Sequence, residues 1–238
     1  MDKIKKLADN KEDALEQPLV SIIVITYNSS KYVLETLESA KTQTYQNIEL
    51  IVSDDYSTDN TVEICREWIE KNKERFVRTE LITAEKNTGI PANCNRGVKA
   101  AQGEWVKFIA GDDILDNKSI SSFVTFSQEN SNIRIIASIS RPFKNNFSIN
   151  DISKEIKNNL SFFQTNIDAT IQYKILLLQC LIHAPNVFIY KKIIETVGYF
   201  DEKYKMMEDY PFWLKVTKSG FKFYYLDSVT VYYRIHSE

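Results

Sequence analysis

The stretch FIAGDDILD, residues 108–116, ends an apolar run on two adjacent carboxylates, Asp112 and Asp113, with Asp116 following. Two neighbouring like charges repel, and burying them unpaired is costly, so something positive should meet them. Mg2+ and Mn2+ suit the task, being hard ions that take one or two carboxylates completed by phosphate oxygens. The alternative for Asp113 or Asp116 is a helix N-cap. A second pair, Asp54–Asp55, follows the apolar run IELIVS; Asp54 is expected to order the turn, and Asp55 can cap the next helix. A third pair, Glu208–Asp209, stands at the predicted start of a helix, where the dipole favours acids. The C-terminal YYRIHSE places Arg234 and His236 after an aromatic strand.

The elements that must position these groups alternate in type. LVSIIVITYN is a continuous apolar, β-branched run, as a strand buried on both faces requires. Val33, Leu34, Leu37 and Ala40 then form a stripe at helical spacing, with Ser29 or Ser30 available as cap. IELIVSDD, VRTELITAE and EWVKFIAGDD read as further strands. STDNTVEICREWIEKN and the segment opening NTGIPANC read as helices, the second with Pro91 in its first turn. Strand and helix thus alternate from Leu19 to Asp113, which predicts a mainly parallel sheet covered by helices. Ligands of such sheets bind beyond the carboxyl ends of the strands. Those ends here are TYN, SDD, AEKN and GDD. Beyond Asp116 the pattern loosens: NKSISSFVTFSQEN, DATIQYKILLLQCLI and DYPFWLKVTKSG read as helices, the last closed by Gly220. IRIIASIS, NVFIY, FKFYYLD and VTVYYRIH read as strands, and residues 141–166 as a variable loop with some helix.

The 238 residues suffice for a substantial core, and a formal net charge of −2 gives no argument for nucleic acid. Three cysteines, an odd count without CxxC spacing, argue against a disulfide framework or a zinc site and fit a reducing compartment. The opening MDKIKKLADNKEDALEQ has no h-region and reads as a tail, residues 1–17; the longest apolar stretches are far short of a membrane span. Neither GxSxG, GxGxxG nor a Walker-type lysine loop occurs.

PLVSIIVITYNSSKYVLETLESAKTQTYQNIELIVSDDYSTDNT and NTGIPANCNRGVKAAQGEWVKFIAGDDILD resemble the opening blocks of family 2 glycosyltransferases. GYFDEKYKMMEDYPFWLKV and YYRIH resemble later blocks of that family, whereas residues 117–182 carry little of it. The resemblance implies a GT-A-like three-layer α/β/α sandwich with a mixed, mainly parallel sheet. It implies one domain over residues 18–238, with a nucleotide-binding half at 18–116 and an acceptor-binding half at 117–238. It further implies inverting transfer of a sugar from a nucleotide-diphosphate donor, expected to be a UDP-sugar, to a hydroxyl of a glycan or lipid-linked glycan, as on a bacterial surface-polysaccharide pathway. The cofactor would be Mn2+ or Mg2+, held by Asp113 with His236 in reach, while Asp112 faces the ribose or donor sugar. Tyr27, flanked by Thr26 and Asn28, would stack on the base, and Asp55 would accept a hydrogen bond from the uracil imide. Asn87 and Gly89 would lie near base and ribose. Asp209 would be the catalytic base, with Glu208 and Trp213 at the acceptor pocket. The family often has an Arg-Asn pair in the helix after Gly89; here the order is Asn95-Arg96, which leaves Arg96 between a phosphate contact and a surface salt bridge. The expected location is cytoplasmic, with room for peripheral contact at the inner face of the membrane. Two other readings stay open: an inactive nucleotide-sugar binder, and a sugar nucleotidyltransferase, for which TYNSSK offers little of the Gly- and Lys/Arg-rich loop a triphosphate needs.

Overall fold

The computed structural model describes residues 17–130, 132–144 and 160–236. Strands β1 (Val20–Thr26), β2 (Ile48–Asp54), β3 (Arg78–Thr83) and β4 (Trp105–Ala110) alternate with helices α1 (Val33–Lys41), α2 (Thr61–Asn72) and α3 (Ile90–Ala100). Then follow β5 (Ile114–Leu115), α4 (Ser119–Glu129), β6 (Ile135–Lys144), α5 (Ala169–Leu176), β7 (Val187–Tyr190), α6 (Lys191–Val197), α7 (Asp209–Lys218) and β8 (Tyr224–Ile235). They form one eight-stranded sheet in the order β3-β2-β1-β4-β7-β6-β8-β5. β1 to β4 are parallel; β7 runs antiparallel to β4 and β6, and β8 runs parallel to β6. The expected mixed, mainly parallel sheet is therefore present.

Strand alternation explains why the predicted runs are apolar throughout. Val20, Ile22, Val24, Ile48, Leu50 and Val52 point into one core with Val33 and Leu37 of α1 and Trp68 of α2. Ile23 and Ile51 point to the opposite face, into a core with Val98 of α3, Ile193 of α6 and Phe212 of α7. Each fully buried side chain of this size stabilises by about 1.5–3 kcal/mol, which makes β1 and β2 the spine of the domain. Register then levels the functional edge. Thr26 pairs with Asp54, Asp54 with Thr83, and Ile25 with Ala110, so TYN, SDD and GDD leave the sheet side by side.

Several expectations change. α1 starts after Tyr32 without a side-chain cap from Ser29 or Ser30, and α2 starts after Asn60, with Asp59 Oδ1 accepting from Thr61 N at 3.0 Å. The helix expected through Ile182 stops at Leu176, and the two C-terminal strands are one twelve-residue strand, β8. α6 and β5, both short, were not legible as separate elements. Most of the variable loop expected at 141–166 lies outside the described residues, but β6 runs on to Lys144.

α3 lies against β1 through Gly97, where an added Cβ would sit 2.4 Å from Ile23 Cγ2. Helix propensity favours alanine over glycine by about 1 kcal/mol, whereas overpacking a core costs about 1–3 kcal/mol. Gly97→Ala is therefore expected to lower stability by about 1 kcal/mol net, read as a lower urea midpoint with unchanged m-value; a raised midpoint would show that β1 and α3 can part without cost.

Candidate functional site

A cleft of ≈ 740 Å³ opens at the carboxyl edge of β1, β2 and β4, and Thr26, Tyr27, Asp55, Asn87, Gly89, Asp112, Asp113, Glu208 and Asp209 all line it. On its first wall, Tyr27 is 50% exposed, a ring free to stack rather than a core aromatic. Thr26 Oγ1 donates to Asp54 Oδ2 at 2.8 Å, and Asp54 also accepts from Ser57 N at 2.8 Å, so Asp54 orders the turn as expected. Asn28 adopts φ 51° and is spent on structure: its N–H donates to Ser57 Oγ and its Oδ1 accepts from Thr58 N, both at 2.8 Å. It is absent from the cleft lining, which corrects the expectation that it meets the nucleotide.

Asp55 is 3% exposed. Oδ1 accepts from Thr88 Oγ1 and Arg96 Nη2, both at 2.6 Å; Oδ2 accepts from Thr88 N at 2.9 Å and Gly89 N at 2.7 Å. Burial pushes its carboxyl up, but the hydrogen bonds from Thr88, Arg96 and Gly89 outweigh this and hold it below the ordinary carboxylate value. A carboxylate has about four lone-pair sites, and all are taken. In this arrangement Asp55 is the tie of the wall, with no acceptor position left for a base imide. Arg96 is neither a phosphate contact nor a surface salt bridge; it completes a largely buried ion pair.

At the far end of the edge the acid pair divides. Asp112 is partly exposed, and its Oδ2 lies 2.7 Å from Nε2 of half-exposed His236. Asp113 is 1% exposed, accepts from Arg234 N at 2.9 Å, and has Lys107 beneath it. Burial, then the charge of Asp112, pushes the Asp113 carboxyl up; burial draws fully buried Lys107 down. Arg234, 2% exposed, holds the turn to β8: Nε donates to the Asp112 carbonyl at 2.7 Å and Nη2 to Glu35 at 2.9 Å. Its guanidinium stacks on Tyr32 and Phe143, 4.1 and 4.6 Å from the ring centroids. Both acids stand in the turn between β4 and β5, where Asp113 N donates to the Ala110 carbonyl at 3.2 Å, and both line the cleft with unequal exposure. The burial runs against the expected assignment: Asp112, beside His236, is the more exposed of the two acids, and Asp113, expected to hold the cation, is the buried one. Among the described residues no three His, Cys, Asp or Glu side chains gather as a metal centre. One carboxylate and one imidazole nonetheless fit a hard cation that completes its shell with phosphate and water.

On the opposite wall Asp209 is the first residue of α7, its Oδ1 accepting from Tyr210 N at 2.6 Å. Glu208, half-buried, is pushed up by burial and by Asp209. Trp213 is 3% exposed and packs edge-on to Phe212 and Phe223, outside the cleft lining; the expected acceptor role is corrected to core packing. Cys180, His183 and Met206 line the cleft and were not singled out for it. They come from segments whose irregular backbone gives no periodic signal.

The Glycosyl transferase family 2 profile matches residues 21–194. The chain is 29% identical over 219 residues to the Escherichia coli UDP-Glc:alpha-D-GlcNAc-diphosphoundecaprenol beta-1,3-glucosyltransferase WfaP, covering 92% of this chain and 78% of that one. It is 37% identical over 116 residues to an uncharacterized glycosyltransferase of Haemophilus influenzae, covering 49% of this chain but only 45% of that protein. Staphylococcus aureus TarS 1–349 in complex with UDP-GlcNAc superposes with a TM-score of 0.71 at 24% identity, over 92% of this chain and 59% of that one. The mannosyltransferase PcManGT of Pyrobaculum calidifontis, in complex with GDP-Man and Mn2+, gives 0.64 at 17% identity, over 93% and 57%. The profile match covers more than half of the chain and contains the acid pairs at Asp54–Asp55 and Asp112–Asp113 with the strands that level them, and on that ground the chain belongs to the family 2 glycosyltransferases, in the GT-A fold.

Proposed function

We propose that the chain transfers a sugar from a UDP-sugar to an acceptor hydroxyl with inversion at the anomeric carbon. The observation that carries this reading is one cleft with the Asp112–His236 pair on one wall and Asp209 on the other. In this reading Tyr27 stacks on the base, and Asn87 with the Gly89 turn borders the ribose. Asp112 and His236 hold Mn2+ or Mg2+; bound there, the ion neutralises charge on the diphosphate as it leaves. Asp209 takes the proton of the acceptor hydroxyl while that oxygen bonds to the anomeric carbon. The bond to the diphosphate breaks on the opposite face, and its electron pair leaves with UDP. Glu208, whose carboxyl is pushed up by burial and by Asp209, flanks the base.

UDP as the donor nucleotide is supported by the name of WfaP and by the UDP and UDP-GlcNAc complexes of TarS. A lipid-linked glycan as acceptor is supported by the name of WfaP alone. Such an acceptor would be met at the inner face of the membrane by a cytoplasmic protein; no helix among the described residues is long and apolar enough to cross a membrane.

Calorimetry of UDP binding with Mn2+ and then with EDTA tests the cation. UDP is expected to bind about tenfold or more tightly with Mn2+, and Asp112→Ala and His236→Ala to abolish that difference. Equal affinity in EDTA would remove the cation from the reading, and loss of the difference in Asp113→Asn alone would return the ligand role to Asp113. Asp209→Asn is expected to bind UDP as the wild type does and to lower kcat by about 10²–10⁴. Unchanged turnover would exclude Asp209 as the base.

A further inference from the structure

The chain reaches Asp209 through residues 201–207, all of them exposed. A base must be held within a fraction of an ångström of its working position, so an exposed approach of this length needs anchors. Two come from α3. Asn95, 3% exposed and outside the cleft lining, brackets Phe200: its Oδ1 accepts from Phe200 N and its Nδ2 donates to Phe200 O, both at 3.0 Å. The same Nδ2 donates to Glu202 Oε1 at 2.9 Å. Farther along, Ile90 N donates to Lys205 O at 2.9 Å. Gly89, at φ +93°, makes this approach possible, because an added Cβ would stand 2.7 Å from that carbonyl oxygen.

The same turn faces the nucleotide wall. Thr88 N and Gly89 N donate to Asp55 Oδ2, and the next N–H, that of Ile90, donates to the segment leading to Asp209. Three consecutive amides therefore join the wall that would meet the base to the segment that carries the catalytic carboxylate. We infer that Asn95 and the Thr88–Ile90 turn are positioning elements for Asp209, coupling occupancy of the nucleotide wall to the order of residues 200–208. The inference rests on the reading of Asp209 as the base.

Coupling of this kind is reciprocal and is commonly worth about 5- to 150-fold between two sites. Hydrogen exchange across residues 199–209, with and without UDP and Mn2+, reads it directly. In the wild type, UDP with Mn2+ is expected to slow exchange there about fivefold or more. Asn95→Ala is expected to lose that protection, to weaken UDP binding by no more than the same factor, and to lower kcat. Glu202→Gln, which keeps the acceptor oxygen, should behave as the wild type does. Should Asn95→Ala fail to fold, Glu202→Ala, at an exposed position, should show partial loss of the protection. Wild-type exchange that ignores UDP overturns the inference, as does an Asn95→Ala protein with normal protection and kcat. A loss of UDP affinity far larger than the lost protection factor also overturns it, by making Asn95 part of the donor site. If Asp209→Asn turns over normally while UDP still protects the segment, it is the assignment of the base that fails, and the coupling stands.

Discussion

The adjacency of Asp112 and Asp113 is the constraint that organises the site. Two carboxylates at a strand end can be folded only if their charges are separated or met. The structure does both. It turns Asp113 inward, where the Arg234 N–H meets it and Lys107 lies beneath, and leaves Asp112 outward against His236. Burial drives Asp113 and Lys107 toward their neutral forms, so the inner half of the pair adds little to the repulsion felt by the outer half. At this end of the cleft the more exposed carboxylate is the one with an imidazole beside it.

Arg234 carries this division into the rest of the fold. Its stacked guanidinium and its bond to the Asp112 carbonyl fix the turn against β8, two residues before His236. The bond to Glu35 fixes the same turn against α1. One buried cation therefore sets where a residue near the end of the chain stands relative to a turn more than a hundred positions earlier. Lys107 does related work on the opposite wall. Its Nζ donates to the Pro185 carbonyl, in the turn that lines that wall, so the strand leading to the acid pair also supports the surface facing it.

The alternating strands and helices of residues 18–116 were legible because their signals are local. A continuous β-branched run such as SIIVIT has few other uses than a strand buried on both faces, and register then aligns the polar ends without further information. Asp54 was legible for the same reason, since Ser57, which donates to it through both N and Oγ, lies within the adjoining turn. What was not legible depends on contacts distant in sequence. Which of Asp112 and Asp113 faces out is decided by Arg234, 121 positions beyond Asp113. Whether Asp55 is free or saturated is decided by Thr88 and Arg96. Trp213, one turn into an amphipathic helix, shows no sequence difference between a pocket wall and a core ring; the aromatic neighbours Phe212 and Phe223 settle it.

The order Asn95-Arg96 shows how a departure from family pattern acquires a physical reason. Neighbouring positions on a helix differ by about 100°, so the two side chains leave α3 in different directions. Asn95 is directed at the backbone of Phe200 and Arg96 at Asp55 and Thr88. Each meets a demand the other could not. The Phe200 peptide offers one donor and one acceptor, which an amide matches and a guanidinium, with donors only, does not. Asp55 is a buried carboxylate, and an asparagine in place of Arg96 would leave it without a counter-charge, a strongly destabilising state. Exchanging the two residues would fail at both positions, so the order is fixed by what stands on either side of α3: the approach to Asp209 on one side, the Asp55 wall of the cleft on the other.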